Sequence, residues 1–238
     1  MVGTSEHRTL CGRRSRPAIC PLKLLPRDIW VRVATEVAYN SIQDLLNFES
    51  TCKVFLDPGR SAVVYKHAIV WNIPMVSFLR YPDHANRRFV DRCIDAGNPD
   101  AILTNGLHEY FFIARHHVNM ELLTRAASEG NVEAGYICSM LLLCNHQDGD
   151  DVRRGVDLFE VILTAGNVHR CREIFTDILA EHWVGIKPPD PGQPVSCRSP
   201  MCPTRGIMGN AHDVSSVSCV RCLADHEVYQ FLAMFRRY

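Results

Sequence analysis

Three Gly-Asn pairs constrain this 238-residue chain more than any other feature: Gly97-Asn98, Gly130-Asn131 and Gly166-Asn167. The glycines stand 33 and then 36 residues apart, and the residues ahead of them agree. Phe89, Leu122 and Leu158 lie eight positions before a glycine, Val90, Leu123 and Phe159 seven before, and Cys93, Ala126 and Ile162 four before. Apolar residues at this spacing mark one face of a helix. A Gly closing that helix takes the left-handed conformation that other residues resist, and an Asn directly after it caps the next helix with its side-chain oxygen. Each period is therefore read as two helices around a Gly-Asn turn. Stacked units of this length form an α-hairpin solenoid, in which each hairpin buries its apolar face against its neighbours. The fold class read from the sequence is all-α.

The repeated Gly-Asn hinge with its flanking alanines resembles Sel1-like or tetratricopeptide repeats. The third register is degenerate, with Arg170 and Cys171 where Ala134 and Gly135 stood, as a terminal capping repeat should be. The repeat domain is placed at 72–186.

Ahead of the repeats, Leu25 to Val70 reads as three short helices. Pro26 suits a first helical turn. Ile29, Val33 and Val37 recur every four residues, with Trp30 and Ala34 beside them, and form a wide apolar face. Ser41 with Asp44 three residues on opens a second helix carrying Ile42, Leu45, Leu46 and Phe48. Asp57-Pro58-Gly59 reads as a turn, and a third helix follows through Val63, Val64 and Ala68. A unit this small buries little of its own apolar surface and leans on a neighbour. The Leu25-Pro26 opening, the apolar helix, Asp44-Leu45-Leu46 and Ser50-Thr51-Cys52-Lys53-Val54-Phe55 together resemble an F-box, placed at 23–71. Phe55 stands where many F-boxes carry Trp, which keeps an aromatic there. The resemblance implies that Leu25, Pro26, Ile29, Trp30, Leu45, Leu46 and Phe55 belong to the region that docks on the Skp adaptor. It does not say which of them face the adaptor and which the F-box core.

At the other end, Lys187 to Pro194 holds four prolines in eight residues, a stiff connector. The linker is taken as 187–196. Beyond it stand Cys197-x4-Cys202, sixteen intervening residues, and Cys219-x2-Cys222. Two short-spaced pairs among turn formers (Pro203, Gly206, Gly209, Asn210) can present four thiolates to one tetrahedral zinc ion. Such binding is worth roughly 10–16 kcal/mol in small finger peptides, enough to order a segment poor in core residues. His212 and His226 are reserve ligands. Val228, Phe231, Leu232 and Phe235 then fall on one face of a closing helix, which should pack on the zinc module or back onto the solenoid. Residues 197–238 are read as a four-cysteine zinc-binding module with a C-terminal helix, and zinc as a structural cofactor.

The remaining observations exclude functions. Lys plus Arg and Asp plus Glu are both 26, so no net charge steers the chain to nucleic acid or an anionic membrane. No apolar run approaches eighteen residues. Residues 1–22 carry Arg8, Arg13, Arg14 and Arg16 against Glu6, without an apolar signal core, and are read as a disordered basic tail. The chain is accordingly placed inside the cell, in nucleus or cytoplasm, where its eleven cysteines are expected as thiols or metal ligands. His116, His117 and His146 are assigned to helix ends or loops, and Glu109, Glu121 and Glu133 to separate helices without a local partner. The chain has no Gly-rich phosphate loop, no G-x-S-x-G and no H-E-x-x-H, so it is not read as an enzyme.

An F-box, degenerate Sel1-like hairpins and a C-terminal cysteine cluster resemble a group of plant F-box proteins, some carrying a fuller MYND-type zinc finger. Four clustered cysteines without a second zinc set fall short of that finger. The resemblance implies a substrate-recognition subunit of an SCF-type E3 ubiquitin ligase. Its partners are the Skp adaptor, a cullin and an unknown target protein held by the repeats and cysteine module. The rival reading is a zinc-stabilised helical-repeat scaffold outside any ligase.

Overall fold

The computed structural model describes residues 21–71, 73, 85–112, 116–144, 148–180, 197, 202, 214 and 217–235. The basic tail through residue 20, the proline-rich linker, His146 and His212 lie outside them. Among the described residues the regular structure is helical throughout, as the sequence predicts. No helix there is long and apolar enough to cross a membrane.

The N-terminal unit has four α-helices instead of three: α1 (Arg27–Asn40), α2 (Ile42–Thr51), α3 (Lys53–Gly59) and α4 (Ala62–His67), after a 3-10 turn at Pro21–Leu24. Pro26 precedes α1 with φ −58°, already helical, and its carbonyl accepts the Ile29 N–H at 3.1 Å. The Ser41 hydroxyl caps α2 by accepting the Asp44 N–H at 3.1 Å. Asp57-Pro58-Gly59 is not an open turn. It ends α3, with Pro58 and Gly59 buried; a Cβ on Gly59 would come within 2.7 Å of Glu49 Cγ. Pro58 has no N–H to give to the carbonyl four residues back, and the helix ends one residue later. The next helix starts at Ala62 and stops at His67, before Ala68 and Trp71.

The stripe facing inward on α1 also differs from the expected one. Val31, Ala34 and Ala38 are buried, Val37 is half-buried, and Ile29 and Val33 are exposed. The two alanines let α1 approach α2, α3 and α4 closely, which a Val-Ile face would prevent.

Three hairpins follow: α5 (Ala85–Asp95) with α6 (Pro99–Phe112), α7 (His116–Ser128) with α8 (Val132–Cys144), and α9 (Gly149–Thr164) with α10 (Val168–Ala180). The three Gly-Asn turns are alike. Gly97, Gly130 and Gly166 have φ of +78°, +96° and +71°. Each glycine N–H bonds the carbonyl three residues back, and each Asn N–H the carbonyl five back, the Schellman arrangement. Asn98 and Asn131 then cap through Oδ1, accepting the Ala101 and Ala134 N–H groups at 3.0 and 2.6 Å. At Asn167 the main-chain carbonyl accepts from Cys171 N–H at 3.0 Å. The positions seven and four before each glycine are buried in all three repeats, and those eight before are half-buried.

The repeats are tied to the N-terminal unit by side chains. Asn98 Nδ2 donates to the Tyr65 and Ala68 carbonyls at 2.9 and 2.8 Å. Tyr65 meets Phe89 edge-on at 5.6 Å, and its hydroxyl accepts from Arg92 at 3.0 Å. One apolar core thus runs from Val31 to Met234.

Helix α8 lies at the centre of the repeats. Twelve of its residues, Glu133 to Cys144, are buried, so it shows no amphipathic stripe. It packs on α7, α9, α10 and the last helix, α11 (Val220–Phe235). Gly155 on α9 allows a close crossing: a Cβ there would stand 2.9 Å from Leu143 Cγ, and Ser139 Oγ donates to the Gly155 carbonyl at 2.7 Å. Helix α11 packs back onto the solenoid. Its Ala224, Val228, Phe231, Leu232 and Met234 join the same core, so it closes the third hairpin instead of forming a module apart.

Candidate functional site

Two features stand out as sites: the cysteine cluster and the apolar surface of the N-terminal unit.

Cys219 and Cys222 flank the first turn of α11, three residues apart and hence on one side of it. Leu223 N–H bonds the Cys219 carbonyl at 3.0 Å, which fixes that turn. Cys197 and Cys202 face them. The Cys197 and Cys219 sulfurs are 3.9 Å apart and the Cys202 and Cys222 sulfurs 3.2 Å, and all four lie within 4.8 Å of one another. Sulfurs at about 2.3 Å from a tetrahedral zinc ion would be ~3.8 Å apart, so the donor set fits one ion. Cys197, Cys202 and Cys222 are buried and Cys219 half-buried, among Val214, Val217 and Leu223. Four sulfurs fill a tetrahedron and leave no position for water, which is the pattern of a structural centre. His226 is outside this group. It lines a cavity of about 330 Å³ with Phe159, Arg172 and Gln230, its Nε2 3.5 Å from Gln230.

Cys93, Cys138, Cys144 and Cys171 are buried and behave as small apolar residues. Burial pushes the thiols of Cys93, Cys138, Cys144 and Cys171 up to about 12, so none is a ready nucleophile near neutrality.

The seven residues singled out near the N-terminus separate into two sets. Leu45 is fully buried, and Phe55 is 9% exposed. Trp30 is half-buried, its ring 4.6 Å from Phe55, which stacks on Phe48 at 4.5 Å. The Trp30 indole N–H donates to the Leu22 carbonyl at 3.0 Å and holds the preceding turn. These three make the core. Leu25, Ile29 and Leu46 are 47%, 38% and 47% exposed, and Pro26 is exposed with them. Leu25, Ile29 and Val33 keep a four-residue spacing, so the apolar stripe legible in the sequence faces outward.

Sequence reasoning missed the polar struts between repeats. Asn131 Nδ2 donates to Asp100 Oδ1 at 2.7 Å, and Arg170 donates to Glu133 at 3.0 Å. Glu133 therefore has a partner, in the next repeat. Asp100 and Glu133 both stand three residues after a hinge glycine, the signal that could have revealed the pattern. Burial, with Glu133 nearby as a second cause, pushes the Asp100 carboxyl above its ordinary value. A third strut joins α8, α10 and α11. Buried Glu227 accepts from the Tyr136 hydroxyl at 2.7 Å and, through both oxygens, from Arg172. Burial, then Glu227, drives the Tyr136 phenol well above its usual range, while the hydrogen bonds that Arg172 donates to Glu227 raise the guanidinium. These groups satisfy one another and hold helices together.

The architecture is that of a helical-repeat protein whose repeats follow a small N-terminal helical unit. Residues 72–180 match the family described as plant tetratrico peptide repeats. Two Arabidopsis thaliana proteins are similar to the chain. One, carrying a provisional F-box name, is 25% identical over 166 residues, covering 68% of this chain and 53% of the relative. The other, an F-box protein, is 27% identical over 126 residues, covering 53% of this chain and 76% of the relative. The chain thus spans about half the length of the first relative and about three quarters of the second. No solved structure matches it. Together with the all-helical repeats, these likenesses support a plant F-box protein with tetratricopeptide-like repeats.

Proposed function

We propose that the protein is the substrate-recognition adaptor of an SCF-type E3 ubiquitin ligase. Leu25, Pro26, Ile29 and Leu46 dock on the Skp adaptor, which links the chain to a cullin, while the repeats and the cysteine region hold the target protein. The observation that carries this reading is the exposed apolar stripe on a unit whose other face is fully packed. Interfaces draw most of their energy from a few apolar anchors of this kind. Trp30, Leu45 and Phe55 act indirectly, by holding that surface in shape. F-box relatives and repeat likeness favour an adaptor without chemistry of its own. Its working place on this reading is the nucleus or cytoplasm, where thiols stay reduced. There Cys197, Cys202, Cys219 and Cys222 hold one structural zinc ion.

The test is capture of the Skp adaptor from a plant extract by the full-length protein. The double substitution Leu25→Ala, Pro26→Ala should weaken capture at least tenfold and leave the helical signal intact. Unchanged capture refutes the docking surface. Zinc is measured separately on the full chain, purified under reducing conditions: one ion per chain supports the metal reading, and metal-free protein with all four thiols titrating ends it.

A further inference from the structure

The metal site and the solenoid core share one helix. Cys219 and Cys222 sit at the start of α11, and the same helix buries Ala224, Val228, Phe231, Leu232 and Met234 in the core. Phe231 meets Tyr136 of α8 edge-on at 6.4 Å, and Phe235 reaches Phe111 of α6 at 5.7 Å. Glu227 bonds Tyr136 and Arg172. Helix α8, buried over Glu133 to Cys144, depends on this cover, because a helix apolar on every side must be enclosed on every side.

We infer that metal occupancy of the four-cysteine site decides whether α11 stays seated on α8, so the ion acts as the clasp of the repeat domain. The inference rests on the metal reading above. Two physical effects carry it. First, 39 residues separate Ala180, the end of α10, from Val220. With the four sulfurs joined, the path from Ala180 runs directly through Cys197 and leaves 16 residues as tether. A shorter connection raises the local concentration of α11 at its seat. Second, the first helical turn is the unfavourable step in forming a helix. Cys219 and Cys222 span that turn, and an ion gripping both holds it formed. Releasing the metal removes both effects and lets α11 lift, uncovering Tyr136, Arg172 and the apolar side of α8.

Core cysteines report this directly. Cys171 on α10 is fully buried, beside Arg172 and near Glu227. Cys93 on α5 is equally buried in the first hairpin, where α5 packs on α4 and α6. The experiment is alkylation of the full-length, zinc-loaded protein by iodoacetamide, with peptide-resolved mass spectrometry, before and after chelation. Zinc content is read alongside. Chelation should expose the four ligand cysteines and speed modification of Cys171 at least tenfold, with Cys93 unchanged. Phe231→Ala, which weakens the seat on Tyr136, should leave Cys171 slow while zinc is bound and make its modification on chelation faster still. If zinc leaves and the four ligands react while Cys171 stays protected, the clasp is refuted and the metal site stands. If Cys93 and Cys171 react together, the ion governs the whole fold and the clasp is also refuted. If no zinc is found, the metal reading falls and this inference with it. Fast modification of Cys171 in zinc-loaded Phe231→Ala would show that occupancy of the site does not hold α11 in place, which again refutes the clasp.

Discussion

Gly130→Ala isolates the physics of the repeat hinge. Gly130 has φ +96°, and a Cβ built on it meets nothing within 4 Å. The substitution therefore creates no clash and no cavity; its dominant effect is the penalty for an L-residue held on the left-handed side, about 1–2 kcal/mol, which outweighs the gain from a stiffer unfolded chain. For a chain of this size each kcal/mol moves Tm by roughly 2–4 °C, so Gly130→Ala should lower Tm by ~2–8 °C. Gly149 supplies the opposite sign. It too has open space, but it begins α9 without positive φ, behind the Asp148 cap. Replacing a glycine at a compatible site restricts the unfolded chain and stabilises by about 0.4–1 kcal/mol. Gly149→Ala should hold or raise Tm. Differential scanning calorimetry on both variants decides the matter. Gly130→Asn should recover part of the loss, because Asn tolerates positive φ better than Ala. Equal shifts of one sign at positions 130 and 149 would refute the hinge assignment.

Further expectations concern single contacts. Asn98→Ala removes the cap of α6 and both donors to the Tyr65 and Ala68 carbonyls; it should destabilise by ~2–4 kcal/mol, read from the urea midpoint. Burial holds the Asp100 carboxyl above its unfolded value, so the folded state keeps that proton more tightly; this contribution favours folding at low pH and is lost as pH rises through the carboxylate range. Asp100→Asn should therefore gain Tm relative to the parent between pH 4 and 7, and a pH-independent difference would contradict the assignment. Ile29→Asp, on the exposed stripe, should change stability by less than about 0.5 kcal/mol yet abolish capture of the Skp adaptor, whereas Leu45→Asp should unfold the N-terminal unit. Intact capture by Ile29→Asp would move the docking surface elsewhere.

The hinges were legible because a left-handed turn admits few residue types, and repetition turned three weak signals into one strong one. The cysteine pairs were legible because sulfur spacing along the chain limits where sulfur can go in space. Helix α1 was misjudged in part: Ile29 and Val33 dominate the sequence pattern, but Ala34 and Ala38 face the core, since close packing can favour small residues over large ones. The short α3 hid behind Pro58-Gly59, a pair that usually marks an open turn and here is packed on Glu49. Struts such as Arg170 with Glu133 and Arg172 with Glu227 join residues 37 and 55 positions apart, which no local pattern announces. Nor did helical spacing alone distinguish an α11 that serves the metal site from one that also roofs α8.

Asn98 has a mechanical meaning. Its amide grips two carbonyls at the end of the N-terminal unit while its oxygen starts α6, so the first repeat is anchored to that unit by short, directional bonds. Load applied at one end passes to the other through those bonds, together with the Tyr65–Phe89 contact and the Arg92–Tyr65 bond. Loss of the side chain at position 98 should loosen this joint, which the Tyr65 contacts and the shared core then hold alone. Whatever the first unit grips, the repeats then point in a fixed direction from it.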